Sequence, residues 1–331
     1  MQLLTRWILG PIWQGILLSI IFHLIPYGTL FAILISLLVT LRQGILKGLV
    51  IGLSGAVLGV LIRFLLGGIF IELNFNLLTQ SLYWTMLMLI PAWFFAALLR
   101  QVVSLNLTLQ AMTLSCIGLF ALCFYGQINL FPEVFKSPVN EYVNKLTTAL
   151  VESQSQNIND GIVTADSEVL ITPENIEIVN RCFIHLFEIV TLYSTYMLLL
   201  MLARSWQSYM FMPKEFSKEF RMLRTGGMVV GLLIVGWLLD LIIKSDLYAY
   251  IFGGSSFIAS TWLFIVGIAF FHWTADRYKL TWKAFVIFYL LLFVPIISGL
   301  LFVLLVLIGI TDGFIDLRGL LLRSNGPKQQ L

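Results

Sequence analysis

The sequence predicts an all-α fold, a polytopic transmembrane helix bundle of about eight or nine spans. Of its 331 residues, 59% are hydrophobic and 11% are charged, whereas a soluble domain carries about 25% charged residues. The mean hydropathy is +0.95. Several apolar runs reach the roughly 20 residues that a helix needs to cross a bilayer, where only a helix can satisfy the backbone of such a run.

The predicted spans fall into two groups, separated by a polar insert. The N-terminal part, residues 1–125, contains predicted spans at residues 7–23, 24–40, 48–71, 82–99 and 108–125. The C-terminal part, residues 181–310, contains predicted spans at residues 181–203, 226–243 and 250–271. Its last apolar stretch, residues 284–310, is either one tilted span or two short segments broken at Pro295 and Gly299. A more polar tail follows at residues 311–331.

The insert at residues 126–180 is acidic and carries two helix signals. Ser137 and Pro138 begin a run in which apolar residues recur at helical spacing up to Leu150, which predicts an amphipathic helix. Thr172 and Pro173 form a second helix start that leads into the next span. The insert is therefore interpreted as an acidic cap outside the membrane.

The distribution of basic residues orients the chain. Most Lys and Arg residues lie in the segments that share a side with the N-terminus, including the basic loop at residues 204–225. Since basic residues accumulate on the cytoplasmic side, the N-terminus and this loop are predicted to be cytoplasmic and the insert to face outward.

Ionisable side chains inside the spans give the candidate substrate-binding site. Charges within a bilayer are costly and usually face a cavity or the interior of the bundle. The predicted topology places Arg63, Glu188 and Asp240 in the outward half of the membrane, and His185 and Thr191 share one polar helix face with Glu188. Three interpretations remain open, namely an outward-opening solute pocket, a charge pair that only fixes helix register, and a proton relay.

A glycine stripe and a basic loop give two further candidate sites. Gly48, Gly52, Gly55 and Gly59 lie on one face of the third span, which favours close helix packing or docking of a partner protein. The loop contains an aromatic and basic set whose predicted role is docking: Trp206, Phe216, Phe220, Arg221 and Arg224. Its predicted amphipathic helix would lie on anionic lipid headgroups or bind a protein.

The sequence does not favour enzymatic chemistry. Gly52-Leu53-Ser54-Gly55 matches the short nucleophile motif of rhomboid-type intramembrane proteases, but no histidine stands in that family's context. Asp312 and Asp316 lie one helical turn apart without further candidate metal ligands. We therefore expect no catalytic residues, metal or cofactor, and no nucleic-acid partner. ATP-driven transport would need a separate motor, since the chain has no ATP-binding motif.

Three short segments resemble the YybS-like family of bacterial inner-membrane proteins, a family of unassigned function. The first runs from Leu41 to Gly44, the second combines residues 202–207 with residues 219–224, and the third combines residues 309–312 with residues 316–318. Relatives tend to have Asn-Pro-Gly-Gly-Phe where this chain has Met212-Pro213-Lys214-Glu215-Phe216. The family is distantly similar to the substrate-binding subunits of energy-coupling-factor transporters, which implies a solute-binding subunit in the bacterial inner membrane.

These observations lead to two functional hypotheses. The favoured one is a solute-binding or transport-related membrane protein with an outward-opening polar pocket. The alternative is a non-transporting scaffold or assembly factor that binds partner proteins. The expected partners are the lipid bilayer, a small-molecule solute and a membrane partner protein. A scaffold should hold its buried charges in a closed, paired cluster, whereas a transporter should keep polar groups available to a solute.

Overall fold

The computed structural model describes residues 2–25, 27–67, 75–129, 173–242 and 246–324. The regular elements within these residues are helices: α1 Gln2–Ile8, α2 Ile12–Leu24, α3 Thr29–Arg42, α4 Ile45–Gly67, α5 Phe75–Val102, α6 Leu105–Asn129, α7 Pro173–Phe211, α8 Glu215–Arg221, α9 Gly227–Ile242, α10 Asp246–Arg277, α11 Trp282–Leu292, α12 Pro295–Ile315 and α13 Leu317–Ser324. The all-α prediction is confirmed. The amphipathic helix predicted to begin at Pro138 lies outside the described residues.

The chain is a multi-pass membrane protein, and the predicted count of eight or nine spans stays a prediction. Within the described residues, 6 helices are long and apolar enough to cross a bilayer: Ile45–Leu66, Leu78–Val102, Leu105–Leu122, Phe187–Phe211, Phe252–Arg277 and Ile297–Ile315. Three predicted spans and the first part of the last apolar stretch correspond to shorter apolar helices: Ile12–Leu24, Thr29–Arg42, Val229–Leu239 and Trp282–Leu292.

The last apolar stretch is two helices rather than one tilted span. The break falls at Phe293 and Val294, directly before Pro295. Val294 has an extended backbone (φ −85, ψ 111) and Pro295 occupies the first turn of α12. Proline disfavours the helical conformation in the residue before it and suits the first helical position, so the break follows from local chemistry. Gly299 lies inside α12.

The glycine stripe of α4 packs against α2 on one side and α3 on the other. A Cβ added at Gly55 would lie 2.5 Å from the Ser19 Cβ, and one added at Gly59 would lie 2.5 Å from the His23 Cβ. On the α3 side, a Cβ at Gly52 would lie 2.7 Å from the Ser36 hydroxyl oxygen. The four glycines therefore let α4 approach two neighbours more closely than larger residues would allow.

Helix α3 occupies the centre of this N-terminal group of helices. Every residue from 32 to 41 is buried, and Leu37, Leu38 and Val39 are fully enclosed. A helix that is apolar and buried on all sides has no face left for lipid. Trp93 on α5 donates from Nε1 to the Ile45 carbonyl (3.0 Å), and Arg100 donates to the Thr40 carbonyl (2.8 Å). These bonds hold α5 against the turn between α3 and α4.

Helices α10 and α12 form a second close, antiparallel contact. A Cβ added at Gly267 would collide with the Leu305 carbonyl group, and one added at Gly309 would collide with the Leu263 carbonyl group. Both obstacles are backbone atoms, so neither contact can be relieved by a side-chain rotation. Glycine at these two positions allows the two backbones to touch.

The chain forms two compact units. The first contains Met1–Leu114, Leu192–Ile234 and Ala259–Leu331, and the second contains Ser115–Thr191 and Val235–Ile258. In the second unit, α10 packs on α6 where Gly254 contacts the Phe120 ring, and on α9 where a Cβ added at Gly236 would collide with the Phe252 ring.

Apolar side chains cover much of the surface and contact the lipid bilayer. In the span Ile297–Ile315 only 17% of the most apolar window is buried inside the protein. Leu300 is 71% exposed and Leu122 is 68% exposed. A soluble protein rarely exposes large continuous apolar surfaces, whereas hydrocarbon solvates them without cost.

Candidate functional site

The structure distributes the predicted pocket residues between the two units. Arg63 is an exposed residue of α4 in the first unit, whereas Glu188 and Thr191 belong to α7 in the second unit. The side chains of His185 and Asp240 lie outside the described residues. The predicted neighbourhood of Arg63 and Glu188 therefore stays a prediction.

One helical turn before Arg63, the same face of α4 packs on a polar residue that the sequence analysis did not select. Arg63 stands one helical turn after Gly59 on the same face of α4, and Gly59 packs on His23 of α2. Arg63 therefore stands one turn beyond the contact that α4 makes with α2 at His23. Ser19, one turn before His23, packs on Gly55. We call these three residues, Ser19, His23 and Arg63, the α2–α4 polar cluster.

The cluster has buried polar atoms without a hydrogen-bond partner. His23 is 3% exposed and Ser19 is fully buried. The His23 Nδ1–H donates to the Ser19 carbonyl (2.8 Å), which leaves Nε2 as the accepting nitrogen of the neutral ring. Among the described residues, neither His23 Nε2 nor the Ser19 hydroxyl has a partner. The cluster therefore offers a buried acceptor, a hydroxyl and a nearby cation inside an apolar bundle.

A second polar assembly surrounds the loop after α7. We call it the loop network, and its side chains are those of Arg204, Gln207, Ser208, Glu219, Asp312 and Arg318. Arg204 of α7 is 7% exposed and binds both carboxylate oxygens of Glu219, with Nε donating to Oε2 at 2.9 Å. It also donates to the Gln207 amide oxygen (2.8 Å). The Phe216 N–H donates to the Ser208 hydroxyl (2.9 Å). Residues 204–211, predicted as part of the basic loop, belong to α7, and α8 folds back on them.

Arg318 of α13 is the most deeply buried charge of the loop network, at 2% exposed. Its guanidinium donates to the carbonyl groups of Arg221 and Leu223 (2.8 Å for Leu223). Its Nε lies 3.0 Å from the Asp312 carboxylate, off the hydrogen-bonding direction, so charge rather than a hydrogen bond joins the two groups. Burial lowers the pKa of Arg318, but an arginine remains a cation because its unperturbed pKa exceeds about 12.

The predicted docking residues all make contacts within the chain. Trp206 donates from Nε1 to the Thr5 hydroxyl (3.1 Å), and Phe220 stacks on Phe216. Arg221 pairs with Asp276. Arg224 pairs with Asp316 (2.9 Å). The docking role stays a prediction, and the structure adds that these residues bind the loop to α1, α10 and the tail.

The three segments that carry the family resemblance meet in the loop network. Gln207 of the second segment approaches the Leu41 carbonyl of the first at 3.5 Å. Arg318 of the third segment binds the backbone of the second at Arg221 and Leu223. Short motifs far apart in sequence are thus parts of one hydrogen-bonded assembly.

Sequence reasoning missed Ser19, His23 and the central position of Arg318. His23 ends an apolar helix, and only its alignment with Gly59 shows that it is buried. Asp312 was weighed as a metal ligand, but its carboxylate faces Arg318 instead. No group of three or more metal-binding side chains occurs in the part of the chain that the structure describes.

Comparisons with models of protein families, with curated proteins and with solved structures found no match to this chain. Its helix lengths and hydropathy, together with the fold, define it as a multi-pass helical membrane protein.

Proposed function

We propose that this protein is a solute-binding or transport-related membrane component and that the α2–α4 polar cluster contributes to its binding site. The observation that carries the proposal is the buried Nε2 of His23, which has no partner among the described residues, with the Arg63 cation one turn further along the facing helix. An unsatisfied buried polar group costs about 1–3 kcal/mol. Polar and ionisable groups within membrane spans commonly mark the path of a solute, ion or proton.

The chemistry of the cluster indicates what kind of solute it suits. Nε2 of His23 accepts a hydrogen bond, so the solute needs a hydroxyl or amino group. Arg63 provides a cation that binds a carboxylate or phosphate. The best match is a small polar solute that combines a hydrogen-bond donor with an anionic group. With the N-terminus in the cytoplasm, His23 and Arg63 stand at the outward ends of α2 and α4, which suits an outward-opening pocket.

Ligand-induced stabilisation tests this proposal. The purified protein in detergent is screened by thermal unfolding against small amino acids, hydroxy acids and phosphorylated metabolites. A ligand at 100 times its Kd stabilises a protein by about 2.7 kcal/mol. We expect a stabilising solute for the wild type and for Lys47→Gln, which removes an exposed cation near the opposite end of α4. Arg63→Gln should keep its melting temperature without solute and lose the stabilisation. Glu188→Gln, in parallel, tests the pocket residue predicted from sequence.

A scaffold or assembly factor is the second candidate, and the loop network favours it. Arg204 with Glu219 and Arg318 with Asp312 form closed pairs, which is the arrangement expected when charges serve only to hold helices together. If no solute stabilises the wild type and Arg63→Gln melts early, the solute-binding proposal is wrong and the scaffold is favoured.

The resemblance to the YybS-like family supports placing the protein in the bacterial inner membrane. The charge bias supports an orientation with the N-terminus and α8 in the cytoplasm. In a variant without the native cysteines, an impermeant thiol reagent applied to intact cells should label Ser155→Cys and not Ser217→Cys. Ser155 lies outside the described residues, whereas Ser217 is exposed on α8. Labelling of Ser217→Cys alone, or equal labelling of both, would contradict this orientation.

A further inference from the structure

A polar cavity of about 340 Å³ lies beside the C-terminal end of α10, apart from the α2–α4 polar cluster. Its lining brings Ser217 and Arg221 of α8 together with His272 and Asp276 of α10 and Lys279 of the following turn. The cavity therefore combines basic groups with a hydroxyl, which are groups that commonly bind phosphate in proteins.

The charges in this cavity leave one cation available. Asp276 pairs with Arg221, so these two groups largely neutralise each other. Lys279 is exposed, and within the described part of the chain it has no acidic partner. An anion in the cavity would neutralise Lys279, and the Ser217 hydroxyl can donate a further hydrogen bond to it.

The inner wall of the cavity is aromatic and held in place. The His272 ring packs on the rings of Phe220 and Phe285, with centroids 5.3 and 5.0 Å apart. Its Nε2 shares a hydrogen bond with the Tyr289 hydroxyl (2.7 Å). The His272 ring is therefore held in place by two aromatic rings and one hydrogen bond.

The cavity lies at the membrane interface, at the level where lipid headgroups are found. The membrane span of α10 ends at Arg277, so the lining residue Lys279 comes directly after it. Tyr278 is 53% exposed and Trp282 is 70% exposed, and such aromatic side chains are enriched at the membrane interface. Leu290, on the helix that continues into the membrane, is 61% exposed. A lipid can thus place its phosphate in the cavity while its acyl chains lie along α11.

We propose that this cavity binds the phosphate group of an anionic phospholipid. Lys279 supplies the unpaired charge, Ser217 a hydroxyl donor, and Arg221 a guanidinium oriented by Asp276. Basic pockets between membrane helices bind anionic lipid headgroups in this way. The proposal is independent of the solute-binding function, because the two sites share no residue.

Lipid titration of the full-length protein in a neutral detergent tests the proposal. The probes are short-chain phosphatidylglycerol, short-chain phosphatidylcholine and inorganic phosphate, and thermal stability is the readout. Lys279→Gln removes the unpaired cation. Lys214→Gln is a matched control, since Lys214 is also exposed and also has a positive φ (74, against 51 for Lys279) but does not line the cavity.

We expect phosphatidylglycerol to stabilise the wild type and Lys214→Gln at the same concentration. Lys279→Gln should need at least about tenfold more lipid, which corresponds to about 1.4 kcal/mol. If inorganic phosphate alone gives the same Lys279-dependent stabilisation, the cavity binds phosphate but its natural ligand is a free phosphate compound. Equal stabilisation by phosphatidylcholine, or equal weakening in the two lysine variants, would overturn the proposal.

Discussion

Arg318→Met should lower the free energy of unfolding by about 3–5 kcal/mol, the usual cost of removing one partner of a buried ion pair. The substitution leaves the Asp312 carboxylate, which is 3% exposed, without its cation. It also removes the donor that satisfies the carbonyl groups of Arg221 and Leu223. Unfolding in mixed detergent and dodecyl sulfate micelles, followed by circular dichroism, gives the free energy.

Two variants show whether the charge itself causes this loss. Lys218→Met removes an exposed cation from the same region, and we expect a change within about 0.5 kcal/mol. The double variant Arg318→Met with Asp312→Leu replaces the pair by apolar groups and should recover much of the stability. A single Arg318→Met variant as stable as Lys218→Met would show that the Arg318–Asp312 pair does not hold the loop network together.

Gly48→Ala should destabilise the protein by about 1–3 kcal/mol, and Gly48→Leu should prevent a monodisperse preparation. The added Cβ would collide with the Thr40 hydroxyl and would lie 2.8 Å from the Ser36 carbonyl oxygen and the Thr40 nitrogen. Because two of these atoms are backbone, α3 would have to move away from α4. That movement would also break the bond in which the Ser36 hydroxyl donates to the Gly48 carbonyl (2.8 Å). Size-exclusion profiles and unfolding curves provide the measurement.

Gly231→Ala is the matched control for this experiment. Gly231 also lies within an apolar helix, but nothing stands within 4 Å of the Cβ that it would gain. Alanine is favoured over glycine in a helix by about 1 kcal/mol, so this variant should be at least as stable as the wild type. Equal destabilisation of both variants would indicate that helix flexibility, rather than close packing of α3 and α4, explains the stripe.

The sequence by itself determined the class of the protein and several of its helix boundaries. Composition and hydropathy predicted a helical membrane protein, because lipid leaves a chain few other ways to satisfy its backbone. The residues from Pro173 onward, which the second helix signal of the insert assigned to a helix, are helical in the structure. Local chemistry also singled out Pro295 as a break point. These features depend on a few neighbouring residues and are therefore readable from the chain alone.

Only the tertiary structure decided which apolar segments are surrounded by protein. Hydropathy is the same for a helix that faces lipid and for one enclosed by other helices, so α3 was predicted as an ordinary span. Its burial from residue 32 to residue 41 follows from its position among α2, α4 and α5. The sequence likewise does not show which groups a buried charged side chain contacts. Arg318 finds Asp312 nearby in the chain, but its backbone acceptors at Arg221 and Leu223 lie 97 and 95 residues away. His23 acquires its buried surroundings because Gly59, on a different helix, lets α4 approach it.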